Sequence, residues 1–283
     1  MYDVTAIREM ETIDDMSIWI ALLLGLVQGL CEFLPVSSSG HLLLLQKMFG
    51  IEEGAMFFTV MLHLGTLVAV FIVYWKTIVK LIRRPLQKTV ALLLLALVPT
   101  VLFALLLKKV EPLKSFYQAA EGGQYLGFCF LITAVLLLIS DRIRIPGKRR
   151  TRKQMRVSDA LIIGGLQAVG VMPGVSRSGS TISGGLFAGL SRKAAADFSF
   201  LLSIPAILGG AALEIPDAIR DGIGDIHITC IIAGMITAGV TGFFAIKLVL
   251  GAIKRKALWG FALYTGILGA LVLVDQFVTH LFF

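Results

Sequence analysis

Long apolar stretches, interrupted by short polar ones, dominate this chain. Runs long enough for a helical span fall near 56–75, 90–107, 125–140, 194–213, 228–248 and 257–279, against the ~17–25 residues that a bilayer requires. The third run is short and is expected to begin near residue 122. Two further apolar segments, 18–34 with 42–49 and 158–172 with 180–190, each consist of two half-length pieces around a Pro/Ser/Gly loop. Neither piece alone crosses ~30 Å of hydrocarbon at about 1.5 Å per residue, so both segments read as re-entrant helix–loop–helix hairpins. The pattern predicts an all-α polytopic membrane protein with about six transmembrane helices and two re-entrant hairpins. A single membrane domain, 1–283, would contain repeat halves of about 17–140 and 157–280. Each half holds one hairpin and three spans. Three is odd, so the second half is expected to insert upside down, with the two hairpin tips meeting near the midplane.

Composition supports the membrane reading: 57% of residues are hydrophobic, 16% are charged, and mean hydropathy is +0.88, far from soluble usage. Cys31, Cys129 and Cys230 lie in apolar stretches at unrelated spacings, fitting core packing rather than a disulfide framework or a zinc site. The first 16 residues carry Glu9, Glu11, Asp14 and Asp15 and lack the basic start of a cleaved signal peptide. A net charge of +8 raises the question of nucleic acid, but its distribution argues for a membrane partner. With the loop at 76–89 placed in the cytoplasm, 19 of the 26 Lys and Arg fall on that side, as the positive-inside rule expects. Runs such as Arg149, Arg150, Arg152 and Lys153 then set topology and meet anionic lipid; no nucleic-acid role is expected. Hairpin 1 would enter from outside and hairpin 2 from the cytoplasm.

The hairpin loops repeat one another. At an offset of 139, Gln28, Val36, Ser37, Ser39 and Gly40 match Gln167, Val175, Ser176, Ser178 and Gly179, and prolines (Pro35, Pro173) stand near both loops. Irregular polar backbone at membrane depth persists only where it is buried in protein or lines a cavity. Paired broken segments in two halves are a sequence-level pointer to a binding site.

Arg177 leads the candidate chemistry, because a guanidinium inside a membrane segment is costly and needs an anionic partner. Surrounded by Gly174, Ser176, Ser178 and Thr181, it offers charge, hydroxyls, backbone N–H groups and a helix start to a phosphate. A structural pair with Glu32 is the plainer reading, and the two are compatible. Gln28 and Glu32, four apart, share a helical face. Glu32 could hold a divalent cation, act as a base or balance Arg177; Gln28 brings no charge, so this pair alone makes no two-carboxylate metal site. His41 could move a proton or attack as a nucleophile. Ser37, Ser38 and Ser39 could supply a nucleophile or cap the returning helix. His63, His227 and His280 belong to no constellation and are expected to pack. Ser158 and Asp159 suit a helix N-cap, Asp197 a first turn, and Pro205 a kink. Gly25/Gly29 and Gly185/Gly189 permit close helix contact.

Three ordered motifs, Gln28-x-x-x-Glu32, Pro35-Val36-Ser37-Ser38-Ser39-Gly40-His41 and Pro173-Gly174-x-Ser176-Arg177-Ser178-x-x-Thr181, together with the stretch Phe198-Ser199-Phe200-Leu201-Leu202, resemble the bacterial undecaprenyl-diphosphatase, or bacitracin-resistance, family over essentially the whole chain. The resemblance implies an integral inner-membrane phosphatase that converts an isoprenoid diphosphate to the monophosphate and inorganic phosphate. This recycles the carrier for cell-wall synthesis. It implies Glu32, Ser38, His41 and Arg177 as the catalytic group. Gln28, Ser37, Ser39, Gly174, Ser176, Ser178 and Thr181 would lie around the substrate. It also implies Mg²⁺ or Ca²⁺, for which Glu32 is the candidate ligand on its own chemistry. The family pattern accepts Glu or Gln where Gln28 stands, which removes any catalytic charge there. Membrane lipids are expected partners, and the reading leaves room for a homodimer and for a site opening to the outer face. A phosphatidic-acid-phosphatase mechanism lacks its final His and Asp, whose positions hold Ser183 and Phe187. The alternative of another class is a lipid-phosphate flippase or transporter using the same site.

Overall fold

The computed structural model describes residues 17–51, 54–143, 149–220, 226–254 and 258–283. The acidic N-terminal residues and Arg144, Lys148, Arg255 and Lys256 lie outside them. The described residues are helical almost throughout: α1 (Ile18–Phe33), α2 (Ser38–Met48), α3 (Ala55–Arg83), α4 (Lys88–Lys109), α5 (Leu113–Glu121), α6 (Leu126–Arg142), α7 (Val157–Val169), α8 (Arg177–Phe187), α9 (Arg192–Arg220), α10 (Ile228–Lys254) and α11 (Leu258–Val274). A 3₁₀ turn (Arg152–Gln154) precedes α7 and a π turn (Asp275–Thr279) follows α11. Five helices are long and apolar enough to cross a membrane, or six when α5 and α6 count as one span bent by 92°. That bend corrects the third run, which starts at Leu126 and not near 122. Gly122 and Gly123 (φ +90°) break the helix there.

Both expected hairpins are broken helices, and the breaks have local causes. Helix α1 stops where Leu34 leaves helical geometry (ψ 141°), as a residue before proline is pushed to do. Chain reversal then uses Ser37 at φ +74°, one of two described non-glycine residues with positive φ. A side chain in that region carries strain. The second break uses Gly174 at φ +90°, which costs glycine nothing. Ser37 and Ser176 cap the returning helices, their hydroxyls accepting from the N–H of Gly40 (3.2 Å) and Gly179 (3.0 Å). Those caps start α2 at Ser38 and α8 at Arg177, earlier than the expected 42 and 180. Ser38, Ser39, His41, Arg177 and Ser178 therefore sit on helical first turns, and Thr181 just beyond one, on defined faces rather than in loop.

Small residues decide how the helices meet, since lipid supplies no hydrophobic drive between them. Helix α1 packs on α10, α7 on α4, α6 on α11, and α3 on both α10 and α9. A methyl at Gly25 would stand 2.5 Å from the carbonyl oxygen of Gly234, so the two backbones touch. Gly29 faces Ala238 and Gly242 of α10, and the Gly25/Gly29 pair is a helix contact. Gly185/Gly189 is not: Gly185 meets Ala195, whereas Gly189 (φ +85°) lies past the end of α8 in a turn. Helix α7 is capped by Arg156, not Ser158. Asp159 accepts from the Arg156 N–H at 2.8 Å and is gripped by both arms of Arg150. Asp197 lies beyond the first turn of α9 and accepts from the Tyr74 hydroxyl at 2.9 Å. Pro205 sits inside α9, as does Pro216. Cys129 and Cys230 are buried, Cys31 is half-buried, and none of the three forms a disulfide among the described residues.

Candidate active site

Glu32 ends α1 one turn beyond Gln28, and its carboxylate collects groups from four helices. Its Oε2 accepts from Gln28 Nε2 (3.0 Å) and from the hydroxyl of Ser38 (2.7 Å), the first residue of α2. Its Oε1 pairs with the guanidinium of Arg177, the first residue of α8. His63, on α3, places Nε2 3.5 Å from Oε2. The Glu32 side chain is 2% exposed while that of Arg177 is 24% exposed, so the acid is interior and the guanidinium retains an open edge. Beside them a cavity of about 10 Å³, roughly one water's room, is bordered by Ser178, Thr181, Gln167, Ser199 and Ser203.

His41 lies apart from this cluster. Its Nδ1 donates to the Ser37 carbonyl (2.6 Å), which leaves Nε2 to accept from the Tyr264 hydroxyl (2.7 Å). The rings of His41 and Tyr264 stack 5.6 Å apart, and Phe130 meets His41 edge-on at 5.4 Å. The base in contact with the Ser38 hydroxyl is thus Glu32, within the range a nucleophile–base pair requires.

The remaining expected site residues knit the two hairpins. Ser39 Oγ accepts from the Gly174 N–H (3.3 Å), and Ser178 donates to the Leu34 carbonyl (3.0 Å). Ser37 and Ser39 approach at 3.4 Å, Ser176 and Ser178 at 3.3 Å. Thr181 bonds its own helix and the hydroxyl of Ser199 at 2.5 Å. The Ser176 N–H donates to Thr133 on α6 (3.0 Å). These hydroxyls are mostly committed to protein, which makes the tips rigid.

Two residues outside the expected set reach this region. His63 had a legible signal, because Thr59, His63 and Thr66 form a polar stripe at helical spacing on apolar α3. Tyr264 had none, since one tyrosine in an apolar helix is ordinary. A resident divalent cation does not fit the cluster as built. Glu32 is one carboxylate already held by a guanidinium and two other donors, and no group of three or more His, Cys, Asp or Glu that could hold a metal occurs among the described residues. Hard cations take several oxygens, usually with more than one acid.

Apolar spans enclosing an acid, a guanidinium and a serine at the tips of two broken helices define a multi-pass membrane protein with a buried charged site. Residues 21–271 match the family of bacitracin resistance protein BacA. The chain belongs to that family. It is 41% identical over 258 residues to undecaprenyl-diphosphatase of Carboxydothermus hydrogenoformans, covering 90% of this chain and 96% of that protein. It is 38% identical to undecaprenyl-diphosphatase of Alkaliphilus metalliredigens (92% and 98% covered) and 36% identical to that of Halothermothrix orenii (92% and 98%).

Proposed function

We propose that this protein hydrolyses undecaprenyl diphosphate to undecaprenyl phosphate and inorganic phosphate, recycling the carrier for cell-wall synthesis and conferring bacitracin resistance. The observation that carries this reading is the chain Arg177–Glu32–Ser38 across two broken helices, in a family whose relatives bear that activity in their names. Phosphoryl transfer depends mainly on positioning and on neutralising the equatorial oxygens. Arg177 is placed to release Glu32 and clamp the diphosphate. The freed carboxylate takes the proton of Ser38, whose Oγ attacks the terminal phosphorus as the P–O–P bridge breaks and undecaprenyl phosphate leaves. Water then hydrolyses the phosphoserine. His41 is the second proton carrier, and it acts once the Tyr264 hydroxyl leaves Nε2. Gln28, Ser37, Ser39, Gly174, Ser176, Ser178 and Thr181 hold the tips around the phosphates. Mg²⁺ or Ca²⁺ is brought by the diphosphate itself rather than bound beforehand at Glu32.

Reciprocal packing, α1 on α10 and α7 on α4, supports an inverted repeat in which each hairpin leans on the opposite half. The lysine and arginine asymmetry brings hairpin 1 in from outside, and that entry, with the family resemblance, favours a site open to the outer face. Membrane lipid, and a second copy of the chain, are the partners this reading allows.

The test is phosphate release from undecaprenyl diphosphate by purified protein in detergent, with and without EDTA, beside Arg177→Ala and His41→Ala. Robust release by wild type, lost in both variants, is expected. Folded wild type that binds the lipid with added Mg²⁺ or Ca²⁺ and releases nothing would turn the reading to a lipid-phosphate flippase. Ca²⁺ titrated into lipid-free protein should show no binding.

A further inference from the structure

We infer that His63 is a second cationic contact for the diphosphate, placed across Glu32 from Arg177; this rests on the function proposed above. The geometry determines which nitrogen faces the site. Nδ1 lies 2.8 Å from the Thr59 carbonyl oxygen, which can only accept, so Nδ1 carries a proton and Nε2 is turned to Glu32. A lone pair on Nε2 would face carboxylate oxygen at 3.5 Å and be repelled. Glu32 already receives hydrogen bonds from Arg177, Ser38 and Gln28, so a proton on Nε2 would complete the donors around its carboxylate. With that proton in place, the carboxylate lies between a guanidinium and an imidazolium.

The ring is also held in place. Gln46 on α2 donates to the Thr59 hydroxyl at 2.9 Å, and Thr66 donates to the His63 carbonyl at 2.7 Å. Beside it Gly65 lies against the backbone of Met235, where a methyl would stand 2.5 Å from the carbonyl oxygen. The His63 side chain is 23% exposed and that of Glu32 is 2% exposed, so a ligand can reach the imidazolium without entering the protein interior. Arg177 and His63 bracket the two oxygens of one carboxylate. Neighbouring phosphates of a diphosphate can span that gap, whereas a monophosphate fills one side. His63 thereby favours substrate over product.

The test measures binding of a non-hydrolysable isoprenoid methylenediphosphonate, and of the corresponding monophosphate, to purified protein in detergent. His63→Gln keeps a neutral donor of similar size. A lost charge-assisted contact predicts diphosphonate binding weakened about tenfold or more, with monophosphate affinity changed by less than about twofold, and His63→Lys restoring the difference. A merely structural histidine would lower turnover and leave this ratio unmoved. Wild-type binding matched by His63→Gln overturns the inference alone. Wild type that binds no diphosphonate overturns the functional reading and this inference together. Should the variants fail to fold, the ¹⁵N signal of His63 Nε2 in wild type decides: it moves on adding the diphosphonate, and an unmoved signal refutes the contact.

Discussion

The two hairpins share a frame and differ in chemistry. In both, a serine caps the returning helix, a second serine two residues on lies beside it, and a glycine N–H closes the cap. In both, a glutamine on the first half-helix donates through Nε2 and keeps a buried Oε1 without a partner: Gln28 to Glu32, Gln167 to Thr100. Departures occur where function would. Equivalent positions open the returning helices, yet one holds Ser38 and the other Arg177, and the two bond opposite oxygens of Glu32. Glu32 itself is matched by Val171, and His41 by Ser180. The shared frame supplies two rigid tips, and the sequence difference puts the acid and serine on one and the cation on the other. Neither hairpin alone contains the site.

The sharpest break in this comparison is at the first residue of each returning helix. Arg177→Ala removes the clamp and leaves Glu32 buried beside only neutral donors and His63. Activity should fall by at least ~10²–10³-fold, and loss of the guanidinium partner should cost about 3–5 kcal/mol of stability. Phosphate release and thermal unfolding in detergent measure the two losses. Ser38→Ala removes a hydroxyl and no charge. It should abolish a trappable phosphoenzyme and most turnover, while unfolding moves far less than in Arg177→Ala. A fully active Ser38→Ala would hand the attack to water.

Packing gives a middle-sized contrast. Gly25→Ala on α1 would drive a methyl into the Gly234 carbonyl, costing about 1–3 kcal/mol through backbone displacement. Gly165→Ala on α7 meets nothing within 4 Å and should be neutral or stabilise by up to about 1 kcal/mol through helix propensity. Side-by-side unfolding of the two variants checks the asymmetry. The smallest effect is at the caps. Ser37→Ala and Ser176→Ala each lose an N-cap worth about 1 kcal/mol. Ser37 also loses little by becoming glycine, because φ +74° suits glycine. Ser37→Gly should therefore be the more stable of the two Ser37 variants, whereas Ser176→Gly, at φ −71°, gains no such relief.

Much of this was readable along the chain because it is local. Spans follow from unbroken apolar runs, since a backbone in hydrocarbon must satisfy its own hydrogen bonds. The hairpin breaks follow from Pro35, Pro173 and Gly174. Ser37 is expected as a cap or a nucleophile, and Glu32 as a partner for Arg177. Element starts were less legible: α2 and α8 begin earlier than their apolar residues suggest, because a serine cap can start a helix through polar residues.

What the chain could not disclose is who touches whom. His41 and Tyr264 are 223 residues apart, and His63 meets Glu32 from a different helix. A histidine's partners depend on which face its helix turns and which helix lies opposite. Packing decided that His41 gives its Nε2 to Tyr264 and that His63, expected only to pack, stands at Glu32. The sequence by itself determined the elements, their breaks and the inventory of charged groups, because helix propensity, capping and transfer to lipid act over a few residues. Tertiary structure alone chose the contacts, because backbones that meet through glycine set which side chains share a buried site, and a buried charge is stable only where that choice gives it a partner.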